Sequence, residues 1–275
     1  MTVDVVRRPG ATERNAGRSA RQRRAGRAAL GLTAPVVLVA LWQLAASQGW
    51  IDQRLFGSPR EVWSEGVDQL RDGDIVSEIA VTVRRLTIGY GLGAAVGVLV
   101  GLVLGQIHLL RALFQPLLQA LYVVPKLAVL PILLILFGLG ETPKVLFVAA
   151  GVFFVVMFST LSAVELMPPT FYEVARSVGA SRRRTFVTVT LPGSMPQVRA
   201  GLRLAAGIGL LLEVAVEFLQ ANEGIGYFTW HAWELFFANR MYLGIVVISL
   251  IGVGFTAFVS LAFALLVPAS KIRNE

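Results

Sequence analysis

Long apolar runs separated by short polar segments set the pattern of this chain. A helix needs about 20 apolar residues to cross a hydrocarbon layer about 30 Å thick, since each residue rises about 1.5 Å. Six runs reach or approach that length, at roughly 28–46, 86–105, 113–137, 145–165, 202–219 and 243–267. The pattern therefore predicts an all-α, polytopic membrane helical bundle with six transmembrane helices.

The polar segments divide the chain further. Residues 1–27 are rich in Arg, Gly and Ala without apolar periodicity, which predicts a disordered basic tail. We interpret 28–46 as an anchor, because its run of about 19 residues exceeds the usual signal-peptide core of about 7 to 15. In the outer segment 47–85, Ser58, Pro59 and Glu61 predict a helix start by capping box and N-terminal proline. The helical core is 86–270, with a loop at 166–200.

Composition and charge agree with a membrane location. The chain is 55% hydrophobic and only 15% charged, which is more apolar surface than one soluble core buries. Its net charge of +8 would suggest nucleic acid in a soluble protein. With a cytoplasmic N-terminus, however, 17 of the 25 Lys and Arg residues fall in inner segments and 7 in outer segments. The positive-inside bias therefore explains the charge, predicts that both termini are cytoplasmic, and leaves no reason to expect a nucleic-acid partner.

A four-residue glycine repeat runs along the second span. It comprises Gly89, Gly93, Gly97, Gly101 and Gly105. Such a ridge lets another helix approach closely, because helices in lipid associate through backbone contact. We favour packing within one protomer over a dimer contact.

Three ionisable residues lie inside predicted spans. Lys126 is in the third run, which three prolines should kink, and Glu213 and Glu217 share one face of the fifth. Charged groups in a membrane face protein, water or a counter-charge. The carboxylates either pair with Lys126 or Arg203 or line a pathway, and Lys126 either fixes a helix or attracts an anion. All three are candidate pathway residues.

Motifs for catalysis and for metal or nucleotide binding do not occur in the sequence. The chain has no cysteine, and its two histidines are assigned to opposite sides of the membrane. The glycine-rich stretch at 138–144 lacks the Gly-Lys-Ser/Thr ending of a phosphate loop. We therefore expect no cofactor, no metal and no enzymatic activity in this chain.

The loop at 166–200 carries an amphipathic helix signal. Thr170 and Glu173 fit a capping box and Gly179 fits a helix end, while Leu191-Pro192 should stop the next helical stretch. The apolar positions at three- and four-residue spacing are Phe171, Val174 and Val178. Because so short a helix is marginal alone, this face suits the groove of a partner.

The same loop resembles the EAA loop of ABC importer permeases. The matching positions, at the family's spacing, are Glu173, Ala175, Gly179, Leu191 and Pro192. Val174 and Val189 replace an Ala and an Ile of the pattern. Further features are similar to the branch that imports nitrate, sulfonates and taurine, namely Ser58-Pro59, 131–141, Gly201-Leu202-Arg203, and Glu217 ahead of 224–227.

The resemblance implies a type I ABC importer permease fold in the bacterial cytoplasmic membrane. Two copies would enclose the path, an ABC ATPase would bind ATP and Mg and dock at Glu173, and an extracytoplasmic solute-binding protein would deliver a small anion. The membrane lipid would surround the assembly. The alternative is an ion-coupled secondary transporter or channel that uses Lys126, Glu213 and Glu217.

Overall fold

A computed structural model describes residues 33–266, and the predicted tail at 1–27 lies outside them. Within the described range the chain is helical. The helices are α1 (Thr33–Ser47), α2 (Gln53–Phe56), α3 (Pro59–Asp72), α4 (Asp74–Gln106), α5 (His108–Val123), α6 (Lys126–Phe137), α7 (Glu141–Glu165), α8 (Pro169–Ser177), α9 (Arg182–Thr185), a π-helical turn (Phe186–Thr190), α10 (Leu191–Gln220), α11 (Ile225–Glu234) and α12 (Ala238–Leu266). The chain divides into two units between Ser64 and Glu65, inside α3.

The first unit contains α1, α2 and the start of α3. As predicted, Pro59 is the first residue of α3, and the Ser58 hydroxyl accepts the Glu61 N–H at 3.3 Å. The Gln43 side chain also accepts the Arg60 N–H at 3.1 Å, which ties α3 to α1. The cap therefore fixes where α3 begins.

The core of the second unit is the parallel pair α4 and α7, whose contacts run from Gly89 against Val148 to Gly105 against Val164. The glycine ridge of α4 lies directly against α7: a Cβ added at Gly97 would stand 2.9 Å from the Phe153 carbonyl oxygen, and one at Gly101 would stand 2.7 Å from that of Met157. Only glycine allows such an approach. The prediction that this ridge packs within one protomer is confirmed.

Helices α10 and α12 complete the core. Their buried side chains meet α4 and α7 in one apolar cluster that includes Leu86, Val152, Val156, Leu210 and Val216. Small residues of α10 allow its approach as well: Gly201 lies against Ser159, and Gly209 lies against Val152. The four helices thus form a close-packed bundle with two defined ends. We call them the α8 end, reached by Gly105 and Glu165, and the Arg85 end, reached by Glu141 and Gln220.

The third predicted span is two helices, not one kinked helix. Helices α5 and α6 meet at an angle of 97°. The break falls at Val124-Pro125, whereas Pro116 and Pro131 lie inside the two helices. The prolines therefore predict an interruption of the helix. In the structure this interruption is a sharp bend, the elbow, between α5 and α6.

By length and composition, three of the described helices can cross a membrane: α4, α7 and α12. The bent pair of α5 and α6 would be a fourth if it is one span. Helix α1 shows 15 described residues, and α10 is 30 residues long but carries four ionisable side chains. The predicted count of six therefore rests on these last two helices as well.

Two local predictions in the loop are wrong. Helix α8 begins at Pro169 after Pro168 without a side-chain cap, so Thr170 forms no capping box. Leu191-Pro192 does not stop a helix but begins α10. The reason is the π-helical turn before it, in which the Leu191 N–H donates to the Phe186 carbonyl. This wider turn accommodates a proline, which has no N–H to donate.

Candidate functional site

Helix α8 is held to the bundle by one face. Ala175 is buried there, and the Tyr172 hydroxyl donates to the Met167 sulfur at 3.6 Å while accepting the Thr190 hydroxyl at 3.4 Å. Beneath the helix is a cavity of about 360 Å³ that Tyr172 and Arg176 help to line. This anchoring fixes which side of α8 faces away from the bundle.

The adjoining face of α8 is apolar and exposed. Phe171, Val174 and Val178 are 55%, 64% and 75% exposed. Glu173 is also exposed, on the same short helix. Side chains of this kind at helical spacing favour insertion into a partner's groove. The face that the periodicity predicts is therefore present, and nothing in the described chain covers it.

Gly179 ends the helix as predicted. Its φ is 68°, and its N–H donates to the Arg176 carbonyl at 3.0 Å while the Ala180 N–H donates to Ala175 at 2.9 Å. That left-handed conformation favours glycine after a helix. Leu191 and Pro192 directly follow Thr190, whose hydroxyl donates to Tyr172. The structure therefore brings the Glu173–Gly179 half and the Leu191-Pro192 half of the predicted motif together at the α8 end.

A buried arginine organises the opposite end. The Arg85 side chain is 1% exposed and donates to both Glu141 oxygens at 2.6 Å. It also donates to the Glu223 side chain at 2.8 Å and carbonyl at 2.9 Å, and reaches Glu217 at 3.4 Å. Lys144 adds a bond to Glu141 at 3.0 Å. One guanidinium thus links α4, α7, α10 and the turn before α11.

Glu217 has further partners at this junction. It accepts the Thr82 hydroxyl at 2.7 Å and the Gly226 N–H at 2.8 Å, while Gly224 donates to Glu78. A Cβ at Gly226 would stand 2.7 Å from the Glu217 carboxylate. The chain around 224–227 therefore needs glycine because it wraps closely around a buried carboxylate.

Glu213, one turn earlier on α10, has a different environment. It is fully buried, and neither of its carboxylate oxygens has a hydrogen-bond partner within the described chain. The predicted pairing of these carboxylates with Lys126 or Arg203 is not observed: Glu217 pairs with Arg85 instead. Both carboxylates face the bundle interior, as intramembrane charge requires.

Lys126 lies at the elbow between α5 and α6. Its ammonium donates to the carbonyls of Tyr122 at 2.6 Å, Val124 at 3.1 Å and Leu121 at 3.4 Å. It also stands 4.9 Å from the ring centroid of Phe154. The ammonium therefore satisfies the carbonyls that the break leaves free, and it remains partly exposed.

The Arg85 cluster is the part that sequence reasoning missed. By sequence, Arg84 and Arg85 both resemble residues that extend to lipid headgroups. In the structure, the Arg84 side chain is 60% exposed and pairs with Glu141 at 3.2 Å. Arg85, however, precedes Gly89 by four residues and so continues the buried glycine face of α4. This four-residue spacing was the feature of the sequence from which the burial of Arg85 could have been predicted. Among residues 33–266, no His, Asp and Glu side chains gather as a metal site.

Comparison with known proteins identifies the class. Residues 93–272 match the family described as "Binding-protein-dependent transport system inner membrane component". The chain is 33% identical to the putative aliphatic sulfonates transport permease SsuC of Escherichia coli, over 79% of this chain and 83% of the relative. It is 29% identical to the nitrate import permease NrtB of Leptolyngbya laminosa, over 84% and 85% of the two chains.

The fold agrees with that class. The inward-facing MetNI methionine ABC transporter superposes with a TM-score of 0.62 at 14% identity, over 70% of this chain and 96% of that chain. The chain therefore belongs to the family of binding-protein-dependent inner-membrane transport components. It is a permease subunit of an ABC importer, and the ion-coupled alternative is set aside.

Proposed function

We propose that α8 docks in a groove of an ABC ATPase subunit and that this contact drives transport. Support comes from the exposed apolar face of α8, while Ala175 and Tyr172 hold the helix to the bundle. The motif residues Glu173, Ala175, Gly179, Leu191 and Pro192 lie in α8 or close to it at the same end of the bundle. ATP and Mg bind to the partner, and this chain holds no cofactor and no metal. The ATPase pulls or releases α8, and the bundle converts that motion into alternating access.

Our proposal for the rest of the assembly draws on family membership. Two copies of the chain form a homodimer in the lipid bilayer, and the path lies between them. The α8 end and both termini face the cytoplasm, while an extracytoplasmic solute-binding protein docks at the Arg85 end. No nucleic acid takes part, since the excess of cationic side chains follows the positive-inside pattern.

The transported solute is a small anion such as a sulfonate or nitrate. Relatives named for sulfonate and for nitrate import support this class. Lys126 supports it too, because it carries a positive charge at the elbow without a carboxylate partner among residues 33–266.

A pair of matched substitutions tests the docking. Val174→Asp places a charge in the exposed face of α8, whereas Leu70→Asp changes a residue of similar exposure on α3, at the Arg85 end. We expect Val174→Asp to lose ATPase activity from the purified complex by more than tenfold, because a charge buried in an apolar groove costs several kcal/mol. The measurement is ATP hydrolysis per purified permease.

Leu70→Asp should retain the basal ATPase activity of the unchanged chain, measured without the solute-binding protein. Equal membrane insertion and monodispersity of both variants provide the folding control. If Val174→Asp keeps the ATPase at the level of Leu70→Asp, the face of α8 is not the docking surface.

A further inference from the structure

Two arginines of α10 line a cavity that has no acidic side chain among its described lining residues. Arg199 and Arg203, one turn apart, border a cavity of about 630 Å³ with Thr256 and Ser260 of α12. Both arginines are exposed, and neither forms an ion pair with a described residue. Arg199 rests on the ring of Phe263 at 5.9 Å. The cavity is therefore positively charged, and the two side chains are available to a ligand.

A second cavity adjoins the first. It has a volume of about 390 Å³ and shares Leu204 as a wall, with Gln119, Tyr122 and Ser159 among its other lining residues. The Lys126 ammonium stands 5.1 Å from the Tyr122 ring centroid at its edge. Arg199, Arg203 and Lys126 thus follow one another along a single face of the second unit. We call these three residues the cation row.

The cation row lies at the depth of the membrane. Gly201 contacts Ser159, which places Arg203 beside α7 about 12 Å from the end of that helix, at 1.5 Å per residue. Lys126 lies beside Phe154, about 16 Å from the same end. Helix α7 is about 37 Å long. Both charges are therefore well inside the layer that α7 crosses.

Lipid is an unsuitable environment for this face. A guanidinium at such depth costs several kcal/mol on a lipid-exposed surface, and charged residues at that depth face protein or water-filled cavities. Arg85 meets this demand with carboxylates, whereas Arg203 has none within the described chain. The positive charges of the cation row are therefore best stabilised by contact with water and mobile anions.

We propose that the cation row is the anion-attracting wall of the translocation path, with Arg203 the residue that sets its preference for negatively charged solutes. Cavities of 390 and 630 Å³ have room for a small organic monoanion such as an alkanesulfonate. The inference rests on the proposed importer function, but its test measures the local potential and requires neither ATP nor transport.

A single cysteine reports that potential. The chain has no native cysteine, and Gly207 lines the larger cavity one turn beyond Arg203. A Cβ at Gly207 meets nothing within 4 Å, so Gly207→Cys fits without strain. Full-length Gly207→Cys protein in membrane vesicles is treated with anionic sulfonatoethyl methanethiosulfonate or its cationic trimethylammonium counterpart. Mass spectrometry gives the two reaction rates.

Removing the central charge should change the ratio of those rates. In the Gly207→Cys background, Arg203→Gln should lower the anion-to-cation rate ratio by about two- to tenfold, since the two Cβ atoms lie about 6 Å apart and the guanidinium acts from somewhat farther away through a water-like, partly screened medium. Arg203→Lys should retain the ratio. Arg240→Gln is the matched control, because that arginine pairs with Glu65 at the Arg85 end, and it should also leave the ratio unchanged.

Several results would overturn the proposal. Failure of both reagents to react would place Gly207 against lipid, and an unchanged ratio in Arg203→Gln would remove the charge effect. A preference for the anion that disappears when phosphatidylglycerol is added to phosphatidylcholine vesicles would assign the arginines to lipid headgroups. If the ratio falls as predicted while ATP-driven uptake is absent, the anion-attracting role of the cation row is supported and the proposed importer function is contradicted.

Discussion

Arg85 should contribute far more to stability than its neighbour Arg84. Arg85 makes five hydrogen bonds at 2.6 to 3.4 Å from a side chain that is 1% exposed. Arg84 makes one at 3.2 Å from a side chain that is 60% exposed. Arg85→Met would leave the buried Glu217 without its counter-charge, whereas Glu141 would keep its bonds to Lys144 and Arg84. Breaking a buried pair in this way costs about 3 to 5 kcal/mol.

Arg84→Met should cost about 0 to 1 kcal/mol, because exposed ion pairs contribute little. For a domain of this size, the difference of about 2 to 5 kcal/mol corresponds to a midpoint about 4 to 20 °C lower for Arg85→Met than for Arg84→Met. The assay is the fraction of detergent-solubilised protein that remains monodisperse after heating. Equal midpoints for the two variants would refute the view that Arg85 holds this end of the bundle together.

Two further predictions concern the glycines. Gly97→Leu should destabilise the bundle by at least about 1 to 3 kcal/mol, because its side chain would enter the α7 backbone, whereas Gly91→Leu on the same helix meets open space and should be neutral in the same heating assay. Gly179→Ala should weaken the end of α8 by about 1 to 2 kcal/mol, since φ is 68° there; reduced ATP-driven uptake with unchanged insertion would support this, and unchanged uptake would contradict it.

The periodic parts of the fold could be predicted from the sequence. The glycine repeat indicated which face of α4 packs closely, and the spacing of Phe171, Val174 and Val178 indicated the exposed face of α8. Both depend only on helical geometry, which local sequence carries. The position of Gly179 could be predicted for the same reason.

The partners of the buried charged residues could not be predicted from the sequence. Arg85 binds Glu141 and Glu217, which are 56 and 132 residues away. Helical register predicts that a side chain is buried but not which distant residue meets it. The angle of 97° at Val124-Pro125 could not be predicted either. Proline predicts that the helix is interrupted, but tertiary packing sets the direction of the bend.

ATP-driven uptake in proteoliposomes tests the central claim most directly. The chain is reconstituted with its ATPase and its solute-binding protein, and accumulation of a radiolabelled sulfonate is measured with and without ATP, for the unchanged chain and for Val174→Asp. The account predicts uptake only with ATP and its loss in Val174→Asp. Uptake that proceeds without ATP, or that survives in Val174→Asp, would contradict it.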